Sequence, residues 1–312
     1  MLIVIPGALP ALPVAAELAK LLPRHAPTLH RWLQAGAARV QAHDIRAQGC
    51  TAFEAWQLRR AGYTPEPGLL PGAGLGPLLA GGQHNGAPVW LAELVHLALG
   101  TDQATLIDPA QMDLREAETA ALLDTARPLF DDSGFAVEPL SATRWRLRLP
   151  DDMRPQTASP LAVAGKRLNE WWRQDTATRP WRRLLNEIQM AWHEHPVNEA
   201  RAARGLPPVN ALWLYGGGTP WTVAPASPAQ IITDLDAPHR AGDWAAWLDA
   251  LPGLEARLQP LAGPKGLPQA PADLLLLGDD RSATLTLKPR GGLLGLLPAP
   301  KKNWSAWWSH PA

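Results

Sequence analysis

Residues 195 to 218 read HPVNEARAARGLPPVNALWLYGGG and gather side chains that could do chemistry. His195, Asn198 and Arg201 stand at close spacing, and Gly216, Gly217 and Gly218 end the run. Arginine offers a planar, always charged fork that suits a carboxylate or phosphate. Glycine lets the backbone approach an anion closely, and loops at the carboxyl ends of parallel strands are where open α/β sheets bind ligands. The chemistry these residues suggest is anion binding. No Gly-Lys-Ser/Thr follows, so the run is not a nucleotide P-loop. The same residues could instead cap two helices and turn the chain. A second arginine set, Arg144, Arg146 and Arg148, alternates with Trp145, Leu147 and Leu149. At strand period two, three guanidiniums share one face. That face either clamps an anion, with Arg144 reaching toward the first run, or is a solvated outer surface.

Other constellations carry less. His193 and His195 lie two apart, about 200° around a helix, so they cannot jointly hold a metal there. Asp234-Leu-Asp236-x-x-His239 has ligand types at loop spacing, though solvated acids in a turn explain it as well. GAGLG at 72–76 follows no strand and is a poor dinucleotide turn. Gly-x-Ser-x-Gly and His-Glu-x-x-His are both absent. Cys50 is the single cysteine, which excludes an internal disulfide and a thiolate cluster and suits a reducing compartment.

The elements that must position these residues follow from periodicity and punctuation. Strands are expected at Leu2–Ile5, Thr105–Ile107, Phe135–Val137, Arg144–Leu149, Ala211–Tyr215, Ile231–Thr233 and Ala272–Leu277. Helices are expected at Val14–Leu22, Thr28–Val40, Phe53–Ala61, Leu161–Trp172, Trp181–Trp192, Glu199–Arg204 and Trp244–Leu258. A further helix should start from Asp113 as its cap and end near Arg127, before Pro128. The Gly- and Pro-rich stretch 65–88 marks a loop or boundary. Strands alternating with helices predict an α/β core with a mostly parallel sheet. The expected organisation is a discontinuous core (1–88 and 150–290), an inserted α+β subdomain (89–149) and a Trp-rich tail (291–312).

Composition bounds the function. The 312 residues carry 29 Lys plus Arg against 29 Asp plus Glu, a formal net charge of zero, which argues against a dedicated nucleic-acid binder. Tryptophan is abundant at 15, beside only 3 Phe and 2 Tyr, and should supply much of the aromatic core. The apolar N-terminus lacks a preceding positive charge and reads as a strand rather than a signal peptide. No apolar run is long enough to span a bilayer. A soluble cytoplasmic protein is expected. In the tail, Trp304, Trp307 and Trp308 fall at helical spacing beside Lys301 and Lys302, either packing on the protein's own core or docking on a partner or membrane surface.

The wider sequence resembles known families. HPVN, Arg201, Gly205 and VNALWLYGGG together resemble the signature of archaeal-type cofactor-independent phosphoglycerate mutases. VHL (95–97), EAETAALL (116–123), TRWRLRL (143–149), LLNEIQMAWHEHPVNEAR (184–201) and VNALWLYGGG (209–218) resemble, more closely, the bacterial regulatory proteins of the Rpf type. The resemblance implies an alkaline-phosphatase-like α/β core with an insertion, two divalent metals (Mn or Mg) and a transiently phosphorylated serine. It also implies a metal carboxylate in an Asp-Gly turn after the first strand, and Asp and His ligands late in the chain. Here the turn reads Pro6-Gly7, and beyond residue 240 the sole histidine is His310. Asp279-Asp280 reads as a tight turn between strands. The expectation is therefore a degenerate, non-catalytic regulatory or anion-binding protein without a cofactor. The ligand would be a small phosphorylated or carboxylate compound, and the tryptophans of the tail a place for a protein partner. The alternative is an active metal-dependent mutase or phosphatase.

Overall fold

The computed structural model describes residues 1–81, 86–100, 103–171, 175–263, 266–289 and 303–309. The chain begins with β1 (Leu2–Leu9), α1 (Leu12–His25), α2 (Pro27–Ala35) and β2 (Ala37–Ala42). Next come α3 (Ile45–Gln48), α4 (Ala52–Arg60), α5 (Leu75–Ala80), β3 (Val89–Val95), β4 (Leu97–Leu99), β5 (Ala104–Leu106) and α6 (Glu116–Asp131). The hairpin of β6 (Ala136–Ser141) and β7 (Arg144–Arg148) leads to α7 (Pro160–Val163), α8 (Arg179–His193), α9 (Pro196–Ala203) and β8 (Ala211–Gly218). The last stretch holds β9 (Ala229–Ile231), α10 (Asp236–Ala241), α11 (Trp244–Leu258), β10 (Ala272–Gly278), β11 (Arg281–Leu287) and α12 (Ser305–Trp308).

These elements form two compact units, residues 1–45 with 226–312, and residues 46–225. In the first, five strands run in the order β2-β11-β10-β1-β9. β1 pairs in parallel with β9 and β10, whereas β10–β11 and β11–β2 are antiparallel. The α/β class is as expected, with the parallel part confined to β9, β1 and β10. Ile3, Ile5, Leu274, Leu276, Ala283 and Leu285 point from this sheet into a core shared with α1, α2 and α11.

The second unit is built on an antiparallel sheet, β6-β7-β3-β8. β7 shows the alternation that its sequence predicts. Trp145 and Leu147 are buried, and Trp145 meets Phe130 and Trp192 edge-on at ring separations of 6.2 and 5.9 Å. α8 turns Trp181, Leu184, Leu185, Ile188 and Trp192 inward, the stripe its 3.6-residue period predicts.

Several boundaries differ from expectation. β3 pairs with both β7 and β8, so the sheet that begins in 89–149 continues into 150–225. The helix expected over Thr28–Val40 stops at Ala35, since Ala37–Ala42 pairs with β11. Asp113 is not the cap of α6; it sits at φ 43°, and Glu118 binds the amide of Arg115 at 3.0 Å instead. α6 continues through Pro128 and so buries Phe130. Of the helix expected over 161–172, one α turn forms at Pro160–Val163 and a 3-10 turn at Leu168–Glu170, position 172 lying outside the described residues; the stretch 65–88 contains α5. Among the described residues, no helix is long and apolar enough to cross a membrane.

Candidate functional site

The resemblance directs attention first to the end of β1, where a metal carboxylate would stand. Gly7 has φ +74°, and a Cβ built on it would lie 2.3 Å from the carbonyl oxygen of Leu235. Only glycine fits a backbone so turned and so closely approached. The carbonyls that follow are all taken. Trp247 Nε1 donates to Gly7 (2.8 Å), Trp308 Nε1 to Ala8 (3.2 Å), His239 Nε2 to Leu9 (3.0 Å) and Arg281 to Pro10 (3.2 Å). Trp247, Trp308, His239 and Arg281 are themselves buried. This end of the strand is filled by packed side chains.

The acids around it are also engaged. Asp234 pairs with Arg257 at 3.1 Å, Asp236 with Arg240, and Asp280 with Arg281 at 2.6 Å. Asp279 lies 3.8 Å from His239 Nδ1. Hard divalent ions want several anionic oxygens converging on one point, and among the described residues no group of three or more His, Cys, Asp or Glu is set to hold a metal. Among the described residues, the acids and histidines do not converge as a two-metal centre requires. His310, like Lys301 and Lys302, lies outside the described residues.

The run at 195–218 resolves into three separate arrangements. His195 caps α9, its Nδ1 accepting the amide of Val197 at 3.2 Å while Nε2 meets Thr125 Oγ1 at 3.0 Å. Asn198 is buried and clasps the chain on either side, donating to Trp192 (2.8 Å) and Val209 (2.9 Å) and accepting from the Val209 amide (2.8 Å). Arg201 is fully buried, and each of its three nitrogens donates to protein: to the Pro207 carbonyl (2.9 Å), to Glu118 (2.9 Å) and to the Met112 carbonyl. Arg204 also pairs with Glu118. Burial alone would push the Glu118 carboxyl up. The Arg115 amide and the guanidiniums of Arg204 and Arg201 outweigh burial and hold it below the usual carboxylate range.

Arg144 has other partners. It stands opposite Glu93 in the β3–β7 pairing, and its Nε donates to that carboxylate at 2.8 Å. Tyr215 Oη donates to the same carboxylate at 3.0 Å. Burial, and then the Glu93 charge, push the tyrosine hydroxyl well up. Among the described residues no hydrogen bond joins Arg144 to His195, Asn198 or Arg201. Arg146 faces Glu138 at 3.5 Å on the surface, and Arg148 is exposed.

The glycine triplet belongs to strand β8 itself rather than to a loop beyond it. Gly216 and Gly217 have φ near +90° where the β3–β8 register shifts, and a Cβ on Gly217 would lie 2.4 Å from the Trp90 ring. The close approach is made by protein. Gly216 and Gly217 still line one side of a cleft of about 310 Å³, together with Trp90, Arg154, Glu66 and Thr219. Glu66 accepts from the Thr219 amide and hydroxyl at 2.8 and 2.9 Å. Cys50 is buried, and burial above all pushes its thiol up, away from nucleophilic use.

Comparison with known proteins adds a distant likeness. No family model matches the sequence, and no curated protein matches it. Among solved structures, the chain is similar to the cofactor-independent phosphoglycerate mutase from Thermoplasma acidophilum DSM 1728. The identity is 13%, covering 98% of this chain and 94% of that one, with a TM-score of 0.36. It is also similar to the PH0037 protein from Pyrococcus horikoshii, at 11% identity over 98% and 91% of the two chains and a TM-score of 0.43.

Two features escaped the sequence reading. The closure of the β1 terminus depends on Trp247, His239, Arg281 and Trp308, which are far apart in the chain and form no motif. A small cavity lined by Trp171, Trp181 and Trp213 together with Thr157 and Arg182 is equally non-local.

Proposed function

We propose that this chain is a non-catalytic regulatory or ligand-binding protein built on a phosphoglycerate-mutase-like α/β scaffold. One observation carries the reading: four successive carbonyls, from Gly7 to Pro10, accept hydrogen bonds from buried Trp247, Trp308, His239 and Arg281. Metal-assisted phosphoryl transfer would need an open centre in which anionic ligand oxygens hold divalent cations that neutralise the substrate phosphate. A strand end occupied by two indoles, an imidazole and a guanidinium offers no such opening. The paired state of Asp234, Asp236 and Asp280 supports the same reading. His195, Asn198, Arg201 and Arg144 serve, on this view, to hold the second unit together rather than to hold a ligand.

The test is direct. The full chain, purified and supplied with manganese or magnesium, is expected not to interconvert 2- and 3-phosphoglycerate and to carry substoichiometric divalent metal by mass spectrometry. Turnover that manganese stimulates and a chelator abolishes would overturn the proposal in favour of an active mutase.

A further inference from the structure

The C-terminal segment is held to the first unit in the way a ligand is held. α12 is a single turn, and a helix of that length is not stable in water by itself. Among the described residues no strand pairs with it. Two rings and two hydrogen bonds fix it instead. Trp308 is buried, its Nε1 donates to the Ala8 carbonyl at 3.2 Å, and its own carbonyl accepts from Arg281 Nη2. Trp304 stands edge-on to Trp308 and to His30 of α2, with ring centres 5.5 Å apart in each case. The pocket therefore reads both polar ends of one residue, the indole N–H and the main-chain carbonyl. That is recognition of tryptophan and not of an apolar ring alone.

The place and the connection both suit a removable occupant. β1 lies between two parallel neighbours, β9 and β10, and open α/β sheets bind ligands beyond the carboxyl ends of such strands. The walls come from elements other than the tail: Ala8 from β1, His30 from α2 and Arg281 from β11. Arg281 has further partners of its own in Asp280 (2.6 Å) and the Pro10 carbonyl (3.2 Å). Thirteen residues, 290–302, with three glycines and two prolines, lie between the tail and the rest of the first unit. A short tether holds its ligand at an effective concentration of about 1 mM. A tail that fills its pocket in cis then binds in trans with a dissociation constant below about 1 mM. The same ratio sets how strongly it shuts the pocket against a competitor.

We propose that the carboxyl end of β1 is a pocket for a peptide bearing two tryptophans four residues apart, and that the tail, through Trp304 and Trp308, occupies it as an internal inhibitory ligand. The proposal goes beyond the non-catalytic role and stands whether or not the chain has mutase activity.

The full chain with a protease recognition sequence placed within residues 290–302, cut after purification, tests this. The probe is a labelled peptide of residues 303–312, followed by fluorescence anisotropy, with near-ultraviolet circular dichroism to monitor the fold. The peptide should displace the cut tail saturably, and should bind the uncut chain at least tenfold more weakly. A peptide carrying Trp308→Ala, and N-acetyltryptophanamide with its single indole, should each bind the cut chain at least tenfold more weakly than the parent peptide. A cut tail that millimolar peptide does not exchange would overturn the proposal, as would a chain that unfolds once the tail is released, because the tail is then core. Equal affinity for cut and uncut chains, for the Trp308→Ala peptide, or for N-acetyltryptophanamide would overturn it as well.

Discussion

Arg144, Glu93 and Tyr215 show how a residue that reads as a ligand clamp becomes a structural one. The alternation of arginines on β7 is legible because strand side chains alternate by geometry. What it cannot convey is which partner strand lies alongside, and β3 brings Glu93, only 3% exposed, opposite Arg144. Truncating one member of a buried ion pair strands the other, at a cost of about 3 to 5 kcal/mol. Arg144→Met should lower the unfolding free energy by about that much in urea titrations. Glu93→Leu and Tyr215→Phe combined with Arg144→Met should recover most of it, because neither a charge nor the tyrosine hydroxyl that donates to Glu93 is then left buried without a partner; a triple variant as weak as the single one would sink this account. Glu118 yields a pH prediction. Its folded carboxyl is held below the ordinary 4.5, so its contribution is fully present above that value and is lost as the pH falls through the depressed one. Glu118→Gln should therefore be less stable than the wild type at pH 7, with the gap closing below about pH 4.5. A gap independent of pH would assign the loss to packing instead.

At the scale of elements, legibility followed local signal. α11 matches its expected range, Trp244–Leu258, because Asp243 caps it, accepting the Ala246 amide at 2.9 Å, and its apolar residues recur at helical spacing. α4 is equally local, with Thr51 and Glu54 closing a capping box. Where an element depended on a distant strand, local signal misled. Residues 37–42 continue a helical pattern in sequence and form β2 because β11 is there to pair with. Gly216 to Gly218 look like a loop and are strand because they pair with β3, and they are glycines because Gly76, Trp90 and Ala73 approach too closely for side chains. The candidate site suffered most. Its residues were visible as types, but their bonds run to Val209, Pro207 and Met112, which carry no chemical mark. α12 is the element on which the tail's two readings diverge. Trp304 and Trp308 are buried in the first unit's core, beside α1 and β1, which favours self-packing. Replacing a buried tryptophan by alanine removes its contacts and leaves a cavity, costing about 3 to 5 kcal/mol. Trp308→Ala should show a loss of that order in thermal or denaturant unfolding. Unchanged stability with loss of a binding partner in pull-down would make the tail a docking element.

For the whole molecule, the division into units is the observation the sequence least anticipated. The Gly- and Pro-rich stretch at 65–88 suggested a boundary, since such composition marks loops. That stretch instead contributes α5 to the packing of β3 and β8, and the units part at residues 45 and 225. Nothing local advertises the first point, whereas the second falls in the uncharged, proline-bearing stretch TPWTVAPASP at 219–228. The second unit has what an independent domain requires. It is one continuous piece of chain, its four-stranded sheet is complete within it, and Trp145, Trp181, Trp192 and Trp213 are buried in its interior. A chain of this length buries about 70% of the surface its unfolded form exposes, enough for autonomous stability. Residues 46–225, expressed alone, should therefore fold, giving a single cooperative melt and the sharp near-ultraviolet circular dichroism of fixed tryptophans. The first unit is made of two segments and should not fold from residues 1–45 alone. A fragment 46–225 with helical far-ultraviolet signal but no cooperative transition would show that its core is completed by the rest of the chain, and the two-unit description would fail.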